Sequence, residues 1–123
     1  MDHAGEHQVD VLHDVEMRTR DGITLVADIY RPQGAGPFPV LLHRTPYDKQ
    51  GGRPYPNMDR PFNEGHLFAS NGYITVVQDV RGRGKSEGTF VPFVHEPEDG
   101  YDAIEWAAGL DGSSGSVAGS HRR

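Results

Sequence analysis

Residues 72–88 read GYITVVQDVRGRGKSEG. A run rich in β-branched residues, Tyr73 to Asp79, enters a glycine-rich, doubly basic turn that is followed by further loop chemistry rather than by a helix. Continuous apolar runs of this length are expected of strands buried on both faces of a parallel sheet. The loops at the carboxyl ends of such strands form the crevice where open α/β sheets place their working groups.

Working outward, Phe38 to His43 (FPVLLH) is a second short apolar run, with Pro37 and Pro39 at its start, and predicts another buried strand. Val11 to Arg18 and Thr24 to Tyr30 have the two-residue spacing of half-buried strands. Val11, Val15 and Met17 are expected on one face, as are Leu25, Ala27 and Ile29, with Asp21-Gly22 supplying the hairpin turn between the two strands. Thr45 to Phe62 carries four prolines and two adjacent glycines, a long irregular excursion before a short helix at about 63–71. A second helix is predicted from about Pro97 to Ala108. Pro97 suits its first turn, Glu98 and Asp99 its positive end, and Ala103, Ile104, Ala107 and Ala108 form an apolar stripe that Gly109 ends. Gly112 to Ser116 reads as a linker, with Val117-Ala118 the hint of one more strand. The order hairpin, strand, helix, strand, helix, incipient strand gives an α/β class: an antiparallel hairpin leading into a parallel sheet. Residues 1–10 read as a disordered leader, 11–118 as the domain and 119–123 as a tail.

The composition bounds the partners. At 123 residues the chain has room for one domain. Its net charge of −6 lacks the basic footprint that a phosphate backbone selects, so no nucleic-acid partner is expected. No apolar run approaches the length of a membrane span, the N-terminus is acidic and polar, and there is no cysteine. A cytoplasmic protein without disulfides follows. The sequence fixes no oligomeric state.

Three motifs bear on chemistry. Gly84-Lys85-Ser86 has the last letters of a phosphate-binding loop, but the first glycine of that motif is replaced by Asp79, and Glu87, Gly88 and Pro92 oppose the helix it requires. Asp79 and Arg81, with Gly82 and Gly84, therefore read as the fixings of a structural turn, the alternative being a role on substrate. The seven histidines show no metal-ligand spacing outside the leader, and no metal or organic cofactor is expected. His43, at the end of a buried strand, is the one histidine placed to face a crevice. A serine nucleophile belongs on a strand–turn–helix elbow, G-x-S-x-G. Gly112-Ser113-Ser114-Gly115-Ser116 imitates those letters but lacks the last glycine and follows a helix end, whereas Gly119-Ser120-His121 follows a nascent strand, the better context, with no helix after it to turn the serine upward.

Taken together, DGITLVADIYRP, FPVLLHRTPYDKQ, GYITVVQDVRGRGKSEGTF and EDGYDAIEWAAGL resemble the N-terminal part of the CocE/NonD-type hydrolases, the X-Pro dipeptidyl-peptidase-like α/β-hydrolases. The resemblance covers about Thr19 to Val117 and implies the N-terminal part of an α/β-hydrolase fold, truncated near the nucleophile elbow. It implies a parent serine hydrolase that cleaves small ester or amide substrates through an acyl-serine intermediate. Tyr47 stands where that family's tyrosine lends its hydroxyl to the oxyanion hole. A phenol in a carboxyl-end loop suits that task, a packed loop tyrosine being the plainer alternative. Ser120 stands either at the elbow serine after a short deletion or in an unrelated end. With no triad acid or histidine in place, the chain alone is expected to be inactive. A non-catalytic remnant and a small binding module are the other readings.

Overall fold

The computed structural model describes residues 7–45, 64–89 and 96–120. Five strands, β1 (Val9–Arg18), β2 (Thr24–Pro32), β3 (Phe38–Thr45), β4 (Ile74–Asp79) and β5 (Ser113–Ser120), and two helices, α1 (Glu64–Ser70) and α2 (Glu96–Ala108), make one sheet with helices on its faces. The strand order is β1-β2-β4-β3-β5. β1 pairs antiparallel with β2, and β2 with β4, while β3 runs parallel to both β4 and β5. The predicted hairpin feeding a parallel sheet is what forms.

β4 is central, and all six of its residues are buried, as its unbroken apolar pattern requires. One sheet face carries Met17, Leu25, Ala27, Ile29, Val40, Leu42, Ile74 and Val76, which pack against Ala103 and Ala107 of α2. Two alanines at this contact let the helix approach the sheet closely. α1 lies on the opposite face, where Gly65 abuts the Tyr30 ring so closely that a Cβ there would stand 2.7 Å from it.

Four expectations are corrected. The leader ends earlier than residue 10: Val9 and Asp10 pair with Pro32 and Arg31 in β1, and His7 donates its backbone N–H to the Ser70 carbonyl at 3.0 Å. Val11 does not share a face with Val15 and Met17. A bulge between Leu12 and Val15, with Asp14 at a φ of 57°, inserts one residue and puts Leu12 on that face instead. Ile104 is 43 % exposed. The buried side of α2 runs through Asp99, Ala103 and Ala107 at four-residue spacing, so position 104 turns outward. Gly112 to Ser116 is not a linker, because β5 begins at Ser113 and runs through Gly119 and Ser120, past the boundary of the expected tail. Its ladder to β3, not its own propensity, makes it a strand, and a register shift between Phe38 and Val40 absorbs Gly115 at a φ of 94°.

Candidate active-site edge

The carboxyl ends of β3, β4 and β5 form one edge. In the parallel ladders Thr45 stands beside Asp79, and His43 beside both Val77 and Ser120. Position 120 is therefore two residues short of the level at which β3 ends. Tyr47, two residues past the end of β3, lies outside the described residues, as do 121–123. Ser120 is the last residue of β5, still within the ladder opposite His43. An elbow nucleophile sits on the turn after its strand, and the residues that follow Ser120 lie outside the described ones.

The turn after β4 walls this edge, and its structure explains each letter of the phosphate-loop look-alike. The Asp79 carboxylate accepts the Lys85 backbone N–H at 3.0 Å, and a Cβ at Gly84 would lie 2.2 Å from Asp79 Oδ2. The side chain thus occupies the concavity where a phosphate would sit, and at a φ of 53° Gly84 also needs glycine's freedom. Ser86 is buried because its Oγ donates to the Asp79 carbonyl at 2.7 Å and accepts the Val26 N–H at 2.8 Å, which prolongs the β2–β4 pairing with a side chain. Glu87 N–H donates to the Thr24 carbonyl. The end of β3 is held to the same turn by Val80 N–H, which donates to the Thr45 carbonyl at 3.0 Å.

Arg81 joins three elements. Its Nε and Nη2 donate to the two carboxylate oxygens of Asp99 at 2.9 and 2.8 Å, a bidentate pair in which Asp99 is 1 % exposed. Nη2 also reaches both oxygens of Asp21, in the β1–β2 turn, at 3.0 Å. Asp21 is held at about 2, below the usual carboxylate range, first by the Arg81 hydrogen bond and then by Thr19, while Asp99 and Asp21 together push the guanidinium upward. Beside this cluster Arg20 pairs with Asp102 at 2.7 Å, which holds that carboxyl low as well, and lies over the Tyr101 ring. Sequence reasoning saw Asp21 only as a turn residue and Asp99 only as a helix-start charge. Arg81, the second residue after a buried strand, with acids at two separate element ends, was the available signal.

On the α1 face, Asp28 is a buried carboxylate that sequence reading missed. It accepts the Asp14 N–H at 3.1 Å and lies 3.2 Å from His13 Nδ1, so the β1 bulge folds over it. Asp14 in turn pairs with Lys85 at 3.1 Å. Among the described residues no group of three or more His, Asp or Glu is placed to hold a metal ion. No helix among them is long and apolar enough to cross a membrane.

A mixed sheet of this order, whose parallel strands β3, β4 and β5 are joined to an antiparallel hairpin and end at a walled edge, is the N-terminal part of an α/β-hydrolase. The chain belongs to the X-Pro dipeptidyl-peptidase (S15) family, whose pattern matches residues 21–120. It is 41 % identical over 108 residues to cocaine esterase of Rhodococcus sp. (strain MB1 Bresler), covering 85 % of this chain and 18 % of that protein. A CocE/NonD family hydrolase from Staphylococcus aureus superposes with a TM-score of 0.78 at 29 % identity, over 90 % of this chain and 22 % of the other. An α-amino acid ester hydrolase superposes with a TM-score of 0.69 at 31 % identity, over 97 % and 22 %. The chain therefore spans about a fifth of the length of these relatives.

Proposed function

We propose that this chain forms the oxyanion-side wall of a serine-hydrolase site acting on ester or amide bonds of small molecules. The parallel pairing of β3 with β5 supports this reading, because the strand that precedes Tyr47 in the sequence runs beside the strand that ends at Ser120. In acyl transfer the carbonyl oxygen becomes negative as the nucleophile adds. A donor fixed where that charge develops lowers the barrier, each such donor contributing about 3 kcal/mol. The Tyr47 hydroxyl is assigned that donation. Asp79, Arg81, Gly82 and Gly84 hold the neighbouring wall rigid and take no part in proton transfer.

The same reading assigns the 123-residue chain no turnover of its own, since it carries a donor without the base that activates a serine. The purified chain is expected to hydrolyse a p-nitrophenyl ester no faster than its Ser120→Ala variant. Turnover that Ser120→Ala abolishes would overturn the assignment. In a longer polypeptide that joins this segment to a nucleophile and base, Tyr47→Phe is expected to lower kcat by about 10²-fold with KM little changed. An unchanged kcat there rejects Tyr47 as the oxyanion donor.

A further inference from the structure

At four places an aspartate or asparagine is followed by glycine: Asp21-Gly22, Asn71-Gly72, Asp99-Gly100 and Asp111-Gly112. Such a dipeptide is chemically unstable, because glycine has no Cβ to keep its backbone nitrogen away from the preceding side-chain carbonyl. Attack needs a mobile side chain, a free N–H and a backbone that can turn to bring them together. The fold removes these from three of the four. Both Asp21 oxygens accept from Arg81 at 3.0 Å, and Gly22 donates its N–H to the Thr19 carbonyl at 2.9 Å. Asp99 is held bidentately by Arg81, and Gly100 lies inside α2. Asn71 donates its side-chain amide to the Leu67 carbonyl at 2.8 Å. The Gly72 and Tyr73 N–H groups close the end of α1 on the Ala69 and Phe68 carbonyls at 3.0 and 3.1 Å, the paired hydrogen bonds of a Schellman cap, with Gly72 at a φ of 97°.

Asp111-Gly112 has none of these restraints. The pair occupies the centre of a turn closed by the Ser113 N–H on the Leu110 carbonyl at 2.9 Å, and Gly112 at a φ of 87° fits the third position of a type II turn. The Asp111 side chain is 96 % exposed, with Arg31 Nη2 3.9 Å away. Among the described residues the Gly112 N–H makes no hydrogen bond.

We infer that Asp111 is the site at which this chain isomerises its own backbone, selected by the fold against the intrinsic order of reactivity. The Gly112 nitrogen attacks Cγ of the protonated Asp111 carboxyl, an N–Cγ bond forms, and the glycine proton leaves with the carboxyl hydroxyl as water. Water then opens the cyclic imide. Cleavage of the nitrogen bond to Cγ restores aspartate, whereas cleavage of the bond to the former main-chain carbonyl leaves isoaspartate, with the side-chain methylene in the backbone and the mass unchanged. In an unfolded chain Asn71 reacts first, because its amide is attacked directly with loss of ammonia while a carboxylate anion is a poor electrophile. The position of the product gives it a structural consequence. The Asp111 carbonyl accepts from Arg31 Nη2 at 3.1 Å and the Gly112 carbonyl accepts the Phe38 N–H at 2.8 Å. Isomerisation turns the first carbonyl into a pendant carboxylate and lengthens the chain before the second, so the entry of β5 beside β3 loosens.

The test incubates the full chain at neutral pH, folded and in urea, with peptide mapping that resolves isoaspartate at each of the four positions. In the folded chain isoaspartate is expected at 111 and at none of the other three; in urea Asn71 is expected to be converted first. Asp111→Asn places the same dipeptide at two sites of one molecule. Folded, its position 111 is expected to react at least about tenfold faster than Asn71, since about 1.4 kcal/mol of cap-opening free energy supplies that factor, and in urea the two are expected to react at similar rates. Amide exchange in β5 is expected to be faster in the isomerised chain than in fresh chain, with β4 unchanged, and Asp111→Ser is expected to show no such change on incubation. Conversion at Asn71, Asp21 or Asp99 ahead of 111 in the folded chain, equal folded rates at 71 and 111 in Asp111→Asn, no folded-state isoaspartate at 111 under an incubation that produces it there in urea, or isomerised chain with unchanged β5 exchange would each overturn the inference.

Discussion

Gly84 is held by two constraints of different origin, one from the backbone and one from a neighbour. Its φ of 53° disfavours a side chain, and the Asp79 carboxylate 2.2 Å from the position of a Cβ leaves no room for one. Backbone strain and overpacking each cost roughly 1–3 kcal/mol, so Gly84→Ala is expected to destabilise the chain by about 2–4 kcal/mol. Gly115, at a φ of 94° but with nothing within 4 Å, faces the first constraint alone, and Gly115→Ala is expected to cost about 1 kcal/mol. Urea melts of the two variants check the ranking; equal losses would mean that the carboxylate gives way. Asp79 was legible from sequence as the residue that spoils a phosphate loop, because a carboxylate at that position is incompatible with an anion. That it fills the loop's concavity was not legible, since the contact depends on how the turn folds back. Asp14 and Asp28 illustrate the same limit: a one-residue bulge leaves no mark in a hydrophobic pattern of only eight or ten residues.

At the scale of elements, the Asp21–Arg81–Asp99 cluster ties the β1–β2 turn, the end of β4 and the start of α2 together. Removing the guanidinium leaves Asp99, 1 % exposed, without its bidentate partner. Loss of one member of a buried pair costs about 3–5 kcal/mol, whereas replacing both by apolar groups is often nearly neutral. Arg81→Met is therefore expected to destabilise strongly and Arg81→Met/Asp99→Leu to regain much of the loss; a double variant less stable than the single would show that Asp99 is held by other groups. Asp21, half exposed, reports the same cluster through pH. Its folded-state value of about 2 lies below the ordinary carboxylate value near 3.9. The stability it contributes is thus complete above about pH 4 and is lost as pH falls toward 2. Asp21→Asn is expected to flatten thermal-melt midpoints across that interval relative to the parent; parallel curves would sever the link. The elements themselves divide by how much of their cause is local. β4 and α2 were legible because an unbroken apolar run and a capped, four-spaced alanine face state their surroundings. β5 was only hinted at by Val117-Ala118, because serines and glycines carry no strand preference and the ladder to β3 supplies the order.

Across the whole molecule, the strand order sets a gradient of stability. β4 is flanked by β2 and β3 and buried along its entire length, so its amides are exposed only when the sheet comes apart. Among the described residues β5 pairs with β3 alone and is solvent-exposed over most of its length, with Val117 its contact to the core cluster, so it is the strand that opens most easily. Local openings of this kind span free energies from about zero to that of global unfolding. The edge carrying the proposed chemistry lies between these extremes: Thr45 and Asp79 belong to the rigid centre, position 120 to the edge strand. A site assembled across that boundary needs β5 held in place. Amide hydrogen exchange on the chain is expected to show β4 exchanging at the rate set by global unfolding, β2 and β3 close behind, and β5 faster by orders of magnitude and insensitive to low denaturant. If β5 instead exchanges with β4 in a single cooperative unit, that strand is an integral part of the core and the gradient fails.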